Sequence, residues 1–332
     1  MFMRNIVVLI LAITLLSCSQ SRETWQHNKG MAHGTFYNIT YLFKVDLQKD
    51  IEQIINQTDQ SLSTFSPTSI ISRLNNDEDT VVLDSLFIQV FDKGKEIWEA
   101  TSGAFDMTVA PLVNAWGFGY DKGFEDPQKS IDSIMNFVGF EKISRSGTSI
   151  IKKHSGIKLD ASAIAKGFSV DRVGQFLESQ GVTRYMVEIG GEVRVKGSNP
   201  DNLKWKIGID KPADSHIVSN DRELQTILHL NHGSIATSGN YRQFYIKDGK
   251  RYAHTIDPKT GYPVQQDLLS VTVWAPDCMT ADAYATAFMV LGYEASLQIV
   301  DNTDSLEAYF IVGNNAQQYD VFYTKGIEAM LK

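Results

Sequence analysis

The sequence predicts an α+β fold, a single two-lobed domain of mainly antiparallel sheets with inserted helices. Three observations carry this. Strand patterns come in runs, most clearly across residues 185–230, instead of alternating one for one with helices. No Pro- or Gly-rich linker divides the body, and no internal repeat or low-complexity stretch interrupts it. The composition, 43% hydrophobic and 21% charged over 332 residues, supplies ample core and excludes a mainly disordered, collagen-like or coiled-coil chain.

The first element is an address. Met1 to Ser17 read as an export signal, with Arg4 as the positive start and Ile6 to Leu16 as an apolar run of 11 residues. That run is short for a membrane span and suits a signal peptide. It ends in Leu15-Leu16-Ser17-Cys18, which resembles the lipobox of bacterial lipoproteins. The resemblance implies cleavage before Cys18, acylation of its sulfur, and a lipid anchor for an exported protein facing the periplasm or cell exterior. Residues 1–17 are then a lipoprotein signal peptide, 18–29 a lipidated Cys with a polar tether, and 30–332 the working domain. An ordinary secretory signal with an incidental Cys is the alternative. With Cys18 acylated, Cys278 is the one thiol left, so no internal disulfide forms and the fold rests on its core.

Tyr37, Ile39, Tyr41 and Phe43 then alternate as a half-buried strand, and Leu47, Ile51, Ile54, Ile55, Thr58 and Leu62 recur at helical spacing. A second helix follows Asp84, buries Leu86, Phe87, Val90, Phe91, Ile97 and Trp98, and stops at Gly103. Gly156 to Asp160 reads as a short strand feeding a helix from Ser162 to Gln180, closed by Gly181. Strands follow at Tyr185–Ile189, Glu192–Lys196, Trp205–Ile209 and Thr226–Leu230. Ser270–Trp274 is another, Met279–Leu291 an Ala-rich helix ended by Gly292, and Ala308–Val312 the last strand.

Charge and missing motifs narrow the chemistry. Lys plus Arg total 31 against 39 Asp plus Glu, a net −8, which gives no basic face for coating nucleic acid. Removal of Arg4 with the signal takes this to −9. The chain has no P-loop, no G-x-G-x-x-G after a strand, no H-E-x-x-H and no G-x-S-x-G elbow. Two cysteines exclude a Cys-rich zinc centre.

Three segments can carry chemistry. In the first, Asp282 and Thr286 stand four apart on a helix, so a carboxylate and a hydroxyl share one face and suit a hard cation such as Mg²⁺. Their bland reading is an acid near a helix start and a Thr bonded back to a carbonyl. The second, Leu159-Asp160-Ala161-Ser162-Ala163-Ile164-Ala165-Lys166-Gly167, places Asp160 at an N-cap and Lys166 where it could neutralise a phosphate. Its small Ala161, Ala163 and Gly167 leave room for a ligand, and a capped buried helix with one solvated Lys serves equally well. In the third, His254 precedes the turn Asp257-Pro258-Lys259-Thr260-Gly261, and imidazole can act as a general base near neutral pH or simply hold a hydrogen bond.

Taken together these segments resemble the ApbE family, the FAD:protein FMN transferases. The matching order is Gly34-Thr35, Ser63-Thr64-Phe65, Gly103-Ala104-Phe105-Asp106, Leu159-Asp160 with Lys166-Gly167, Ile189-Gly190-Gly191, Thr237-Ser238-Gly239, His254 to Gly261, and Ala281-Asp282 with Thr286. It covers the chain from about Gly30 onward. The resemblance implies an enzyme that binds FAD and Mg²⁺, transfers FMN to a Thr or Ser hydroxyl of an acceptor protein through a phosphoester bond, and releases AMP. It implies metal ligation by Asp282, Thr286 and the carbonyl of Ala163, with His254 as base. FAD contacts are implied for His33, Phe65, Ala104, Phe105, Asp106, Asp160, Lys166 and Ile256. Acceptors carrying a flavinylation motif are expected, with exported subunits of Rnf-type or Na⁺-NQR-type complexes in view.

The chain departs from the family pattern in places. His33 stands where Met is usual, Phe65 where Tyr is common, and Ala285 where some relatives carry an acid. Phe65 can stack on a flat ring but donates no hydroxyl hydrogen bond. Three other readings remain at this stage: an FAD pyrophosphatase using water in place of the acceptor, a flavin-binding lipoprotein without chemistry, and a structural envelope lipoprotein.

Overall fold

The structure, a computed structural model, describes residues 22–120, 127–212, 223–240, 244–247, 250–314 and 318–332. The expected export signal, residues 1–17, and Cys18, the expected lipidation site, lie outside the described residues. A hairpin of β1 (Thr24–Ala32) and β2 (Thr35–Phe43) is followed by α1 (Gln48–Leu62), α2 (Ile70–Asn75), α3 (Ser85–Ala100), α4 (Ala110–Ala115) and α5 (Ile131–Ile134). Next come a ribbon of β3 (Ile143–Ser146) and β4 (Ser149–Lys152), α6 (Ala165–Ser179), β5 (Tyr185–Ile189), β6 (Glu192–Lys196), β7 (Trp205–Asp210) and β8 (Leu224–Leu230). The chain continues through β9 (His232–Gly239), β10 (Phe244–Lys247), β11 (Lys250–Ala253), β12 (Leu268–Ala275), α7 (Cys278–Leu291) and α8 (Tyr293–Asp301). It closes with β13 (Glu307–Gly313), β14 (Tyr319–Tyr323) and α9 (Lys325–Met330).

Among the described residues, eight strands form one sheet in the order β1-β2-β5-β6-β9-β12-β13-β14, and every neighbouring pair is antiparallel. The expected α+β class holds. Alternation along the strands decides what each face meets. In β13, Ala308 and Phe310 join a core with Phe288 of α7, while Tyr309 and Ile311 face Trp205, Ile207 and Leu228 of the β7–β8 ribbon and Ile327 of α9. At the other end of the sheet, Tyr37, Ile39 and Tyr41 pack against Ile51 and Ile55 of α1 and Val170, Val173 and Leu177 of α6. One face is therefore covered by helices and the other by a ribbon and a short helix.

The helix ends follow their local chemistry. Asp84 caps α3 by accepting from the Phe87 amide at 2.7 Å, and it also holds the Ser61 hydroxyl of α1 at 2.9 Å. A cap of this kind contributes about 1 kcal/mol. Gly103 stops the same helix at a φ of 86°.

Four expectations need correction. Residues Thr24–Lys29, read as tether, belong to edge strand β1, because Asn28 is buried and bonded to Asp46 at 2.9 Å. Gly156–Asp160 forms no strand: the Asn75 side chain accepts from the Leu159 amide at 2.7 Å and donates to its carbonyl at 2.8 Å, doing the work of a neighbouring strand. The following helix begins at Ala165 and not at Ser162, since Asp160 accepts from the Ser162 amide at 2.8 Å and from its hydroxyl at 2.5 Å, making a turn in place of a helix cap. Ala308–Val312 is not the last strand, as β14 and α9 follow it.

Candidate active site

The β1–β2 hairpin closes through two residues, His33 and Gly34, both at positive φ (52° and 75°), with Ala32 paired to Thr35. Two successive left-handed residues are what a tight hairpin needs, and Gly34 meets that need without strain. The turn delivers His33 to the wall of a cleft of about 510 Å³, lined also by Thr58, Asp59, Phe65, Ser162 and Lys166. His33 Nδ1 lies 2.8 Å from Asp59 Oδ1, and its Nε2 is buried with no hydrogen-bond partner among the described residues. Phe65 is 72% exposed, a bare aromatic face beside a polar wall. A cleft of this size and lining suits a flat ring system carrying polar substituents.

Deeper in, α6 and α7 meet through glycine. A Cβ on Gly167 would collide with the Cys278 carbonyl and lie 2.8 Å from Asp282 Cβ, so the small residue admits the neighbouring helix; the sequence suggested room for a ligand. Asp282 is 3% exposed. Its Oδ2 accepts from the Gly167 amide at 2.9 Å, and its Oδ1 lies 3.9 Å from Lys166 Nζ. Phe168 donates back to the Ile164 carbonyl in the regular helical way, whereas Gly167 turns its amide to Asp282 and not to the carbonyl of Ala163. One turn along α7, Thr286 Oγ1 sits 3.4 Å from Ser238 Oγ of β9. Asp282 Oδ1, the Thr286 and Ser238 hydroxyls and the Ala163 carbonyl are all hard oxygens, so this donor set fits Mg²⁺.

A buried charge network surrounds this corner. Lys166 Nζ donates to Glu192 Oε1 at 2.5 Å, and Glu192 Oε2 is buried with no hydrogen-bond partner among the described residues. Burial pulls the Lys166 ammonium down, but Asp282 and Glu192 together hold it above its ordinary value. Burial pushes Glu192 up, against the pull of Lys166. Asp171 of α6 accepts from the Cys278 amide at 2.9 Å and the Met279 amide at 2.8 Å, satisfying the start of α7, and pairs with Arg194 at 2.7 Å. Burial pushes Asp171 up to about 6 despite these partners.

Of the expected FAD-contact residues, the structure gathers His33, Phe65 and Lys166 on one cleft, with Asp160 beside it through Ser162. Others are committed elsewhere. The Ala104 and Phe105 side chains are buried in the core, leaving only their backbone for a ligand. Asp106 is buried, accepting from the Thr108 amide at 2.7 Å, the Thr108 hydroxyl at 2.6 Å and the Phe140 amide at 3.0 Å. The Ile256 side chain packs with Leu112, Trp116 and Ile131. His254, just past β11, sets its ring edge-on to Phe118 at 6.4 Å and does not line the cleft among the described residues. Its neighbour Thr255 donates to Asn240 at 2.9 Å, tying the His254 segment to the end of the strand that carries Ser238. The Asp257–Gly261 turn forms as its composition implied, with Asp257 accepting from the Lys259 amide at 2.9 Å.

Several residues of the network escaped sequence reading. Asp171 recurs with Gly167 and Gly174 on one stripe of α6, and an acid among small residues on a buried face is the signal that was present. Glu192 follows two glycines at a junction that reads as a turn alone. Asp59 carries no local signature, and Ser238 was read only as part of the motif Thr237-Ser238-Gly239, with no role of its own.

A corner of hard oxygens, a lysine and an aromatic-edged cleft stand on one antiparallel α+β scaffold, and the relatives that the chain matches make it a transferase. The family is shown by comparison: the model described as ApbE family matches residues 33–310, and the chain belongs to that family. It is 35% identical to a protein of Vibrio cholerae named FAD:protein FMN transferase, covering 90% of this chain and 91% of the relative. A Haemophilus influenzae protein of the same name is 34% identical, covering 99% and 96%. Among solved structures, the flavin transferase ApbE from Vibrio cholerae superposes with a TM-score of 0.83 at 34% identity, covering 93% of this chain and all of that one.

Proposed function

We propose that this chain is a Mg²⁺-dependent FAD:protein FMN transferase. The acceptor's Thr or Ser hydroxyl oxygen attacks the FMN phosphorus of FAD; a P–O bond forms to the acceptor, the pyrophosphate P–O bond breaks, and AMP departs with the electron pair. His254 takes the hydroxyl proton. Lys166, at the cleft wall, draws the pyrophosphate in and offsets charge on the leaving phosphate. Phe65 offers its exposed face to a flat ring of the dinucleotide. Asp282, Thr286 and the Ala163 carbonyl would hold Mg²⁺, which supplies charge neutralisation at the phosphates. A chain of net charge −8 has particular use for such cations when its substrate is anionic.

The observation that supports this most is the hard-oxygen corner of Asp282 and Thr286 next to Lys166 on a chain of this family. We further propose that the protein works as an exported, lipid-anchored enzyme on periplasmic or external acceptors of the Rnf or Na⁺-NQR type. The test incubates the protein with FAD, Mg²⁺ and such an acceptor, following acceptor mass and AMP, with an EDTA control. One added FMN per acceptor, dependent on metal, supports the reading. AMP and free FMN with an unmodified acceptor would replace it with hydrolysis, and intact bound FAD would replace it with a carrier.

A further inference from the structure

Glu192 begins β6 directly after Gly190 and Gly191, both at positive φ (64° and 105°). A Cβ on Gly190 would come within 2.7 Å of Thr35 Cγ2, so the β5–β6 turn is pressed against the start of β2. The tight turn sends the first side chain of β6 inward, and Glu192 is 4% exposed. There it meets Lys166, whose ammonium is bonded to Glu192 Oε1 at 2.5 Å and stands 3.9 Å from Asp282 Oδ1. One cation thus faces two buried carboxylates and is bonded to only one of them.

That division matters because Asp282 is the single carboxylate among the expected metal donors. If Lys166 closed on Asp282, it would cancel that charge and cover the oxygen that a divalent cation needs. We propose that Glu192 is a positioning residue: by binding the Lys166 ammonium it keeps Lys166 off Asp282, leaving Oδ1 open to Mg²⁺ and Lys166 at the cleft wall. This rests on the Mg²⁺ reading above. Outer partners of this kind typically change metal affinity ten- to a hundredfold.

The experiment measures Mg²⁺ binding to EDTA-stripped protein by calorimetry and by the Mg²⁺-induced rise in melting temperature, without FAD or acceptor. Glu192→Gln should weaken Mg²⁺ at least roughly tenfold, and Glu192→Asp should recover part of the loss. Lys166→Met should bind Mg²⁺ as well as the wild type or better. The double variant Glu192→Gln/Lys166→Met should regain most of the affinity, because the lysine that closes on Asp282 is gone. A merely structural role for Glu192 would leave the double variant as weak as the single one, and that result overturns the proposal. So does unchanged binding in Glu192→Gln, or lost binding in Lys166→Met, which reports even if Glu192→Gln does not fold. A wild-type protein that binds no Mg²⁺ overturns the metal reading itself, and this inference with it.

Discussion

The backbone amide of Gly167 donates to Asp282 Oδ2 at 2.9 Å, so the first turn of one helix is fastened to a side chain 115 residues further on. This single bond joins the segment carrying Ala163 and Lys166 to the one carrying Asp282 and Thr286. It also gives Asp282 a structural duty beside any chemical one.

Because of that duty, Asp282→Ala and Asp282→Asn should differ. Alanine strands a buried amide, and the expected loss is about 1–3 kcal/mol of stability. Asparagine keeps an acceptor for Gly167 but no charge. We expect Asp282→Asn to melt within a few degrees of the wild type while losing Mg²⁺-dependent turnover. Retained activity with unchanged metal dependence would remove Asp282 from the proposed metal site.

Gly167→Ala forces a methyl into the Cys278 carbonyl, a backbone atom that cannot swing away. The expected destabilisation is about 1–3 kcal/mol, read as a lowered urea midpoint. Turnover should fall further than stability, since the helices bearing Lys166 and Asp282 must part.

His254→Ala should keep FAD affinity and lose a factor of ~10²–10⁴ in transfer rate, the usual range for a general base. Flavin fluorescence on titration reads the first quantity and acceptor mass against time the second. Transfer at the wild-type rate would exclude His254 as the base.

Burial pushes the Asp106 carboxyl from 3.8 up to about 6, outweighing its bonds to Thr108 and Phe140. A raised acid binds its proton more tightly folded than unfolded, so its contribution is full below pH 3.8 and is lost as pH rises through about 6. The gap corresponds to about 3 kcal/mol. The stability advantage of the wild type over Asp106→Asn should therefore be largest near pH 4 and shrink toward pH 7. A difference that stays flat across urea titrations in that range would contradict the shift.

Asn75→Ala removes both hydrogen bonds that pin Leu159 and should destabilise by about 2–3 kcal/mol. The loop from Asp160 to Ile164 rests on this pin, so the KM for FAD should rise more than kcat falls.

How legible was all this in the residues? Where a signal is local, reading was sound. Tyr37, Ile39 and Tyr41 show their period within one strand, Gly103 and Gly292 end helices by their own backbone freedom, and the Asp257–Gly261 turn is written in its composition. Leu159 shows the limit of such reading. Its extended backbone looks like a strand, yet its partner is the side chain of Asn75, 84 residues earlier.

The site divides the same way. Asp282 and Thr286 on one helix face, and Lys166 near the start of another, could be read from spacing and order along the chain. By itself the sequence determined the α+β class, most element positions and the family motifs, because periodicity, capping and glycine stops act within a few residues. Only the tertiary structure decided that His33 meets Asp59, that Asp171 completes α7, and that Glu192 rather than Asp282 holds the Lys166 ammonium. Those choices depend on which buried charges the packed sheet and helices bring within a few ångströms, and at that range desolvation and pairing, not sequence neighbours, set the partners.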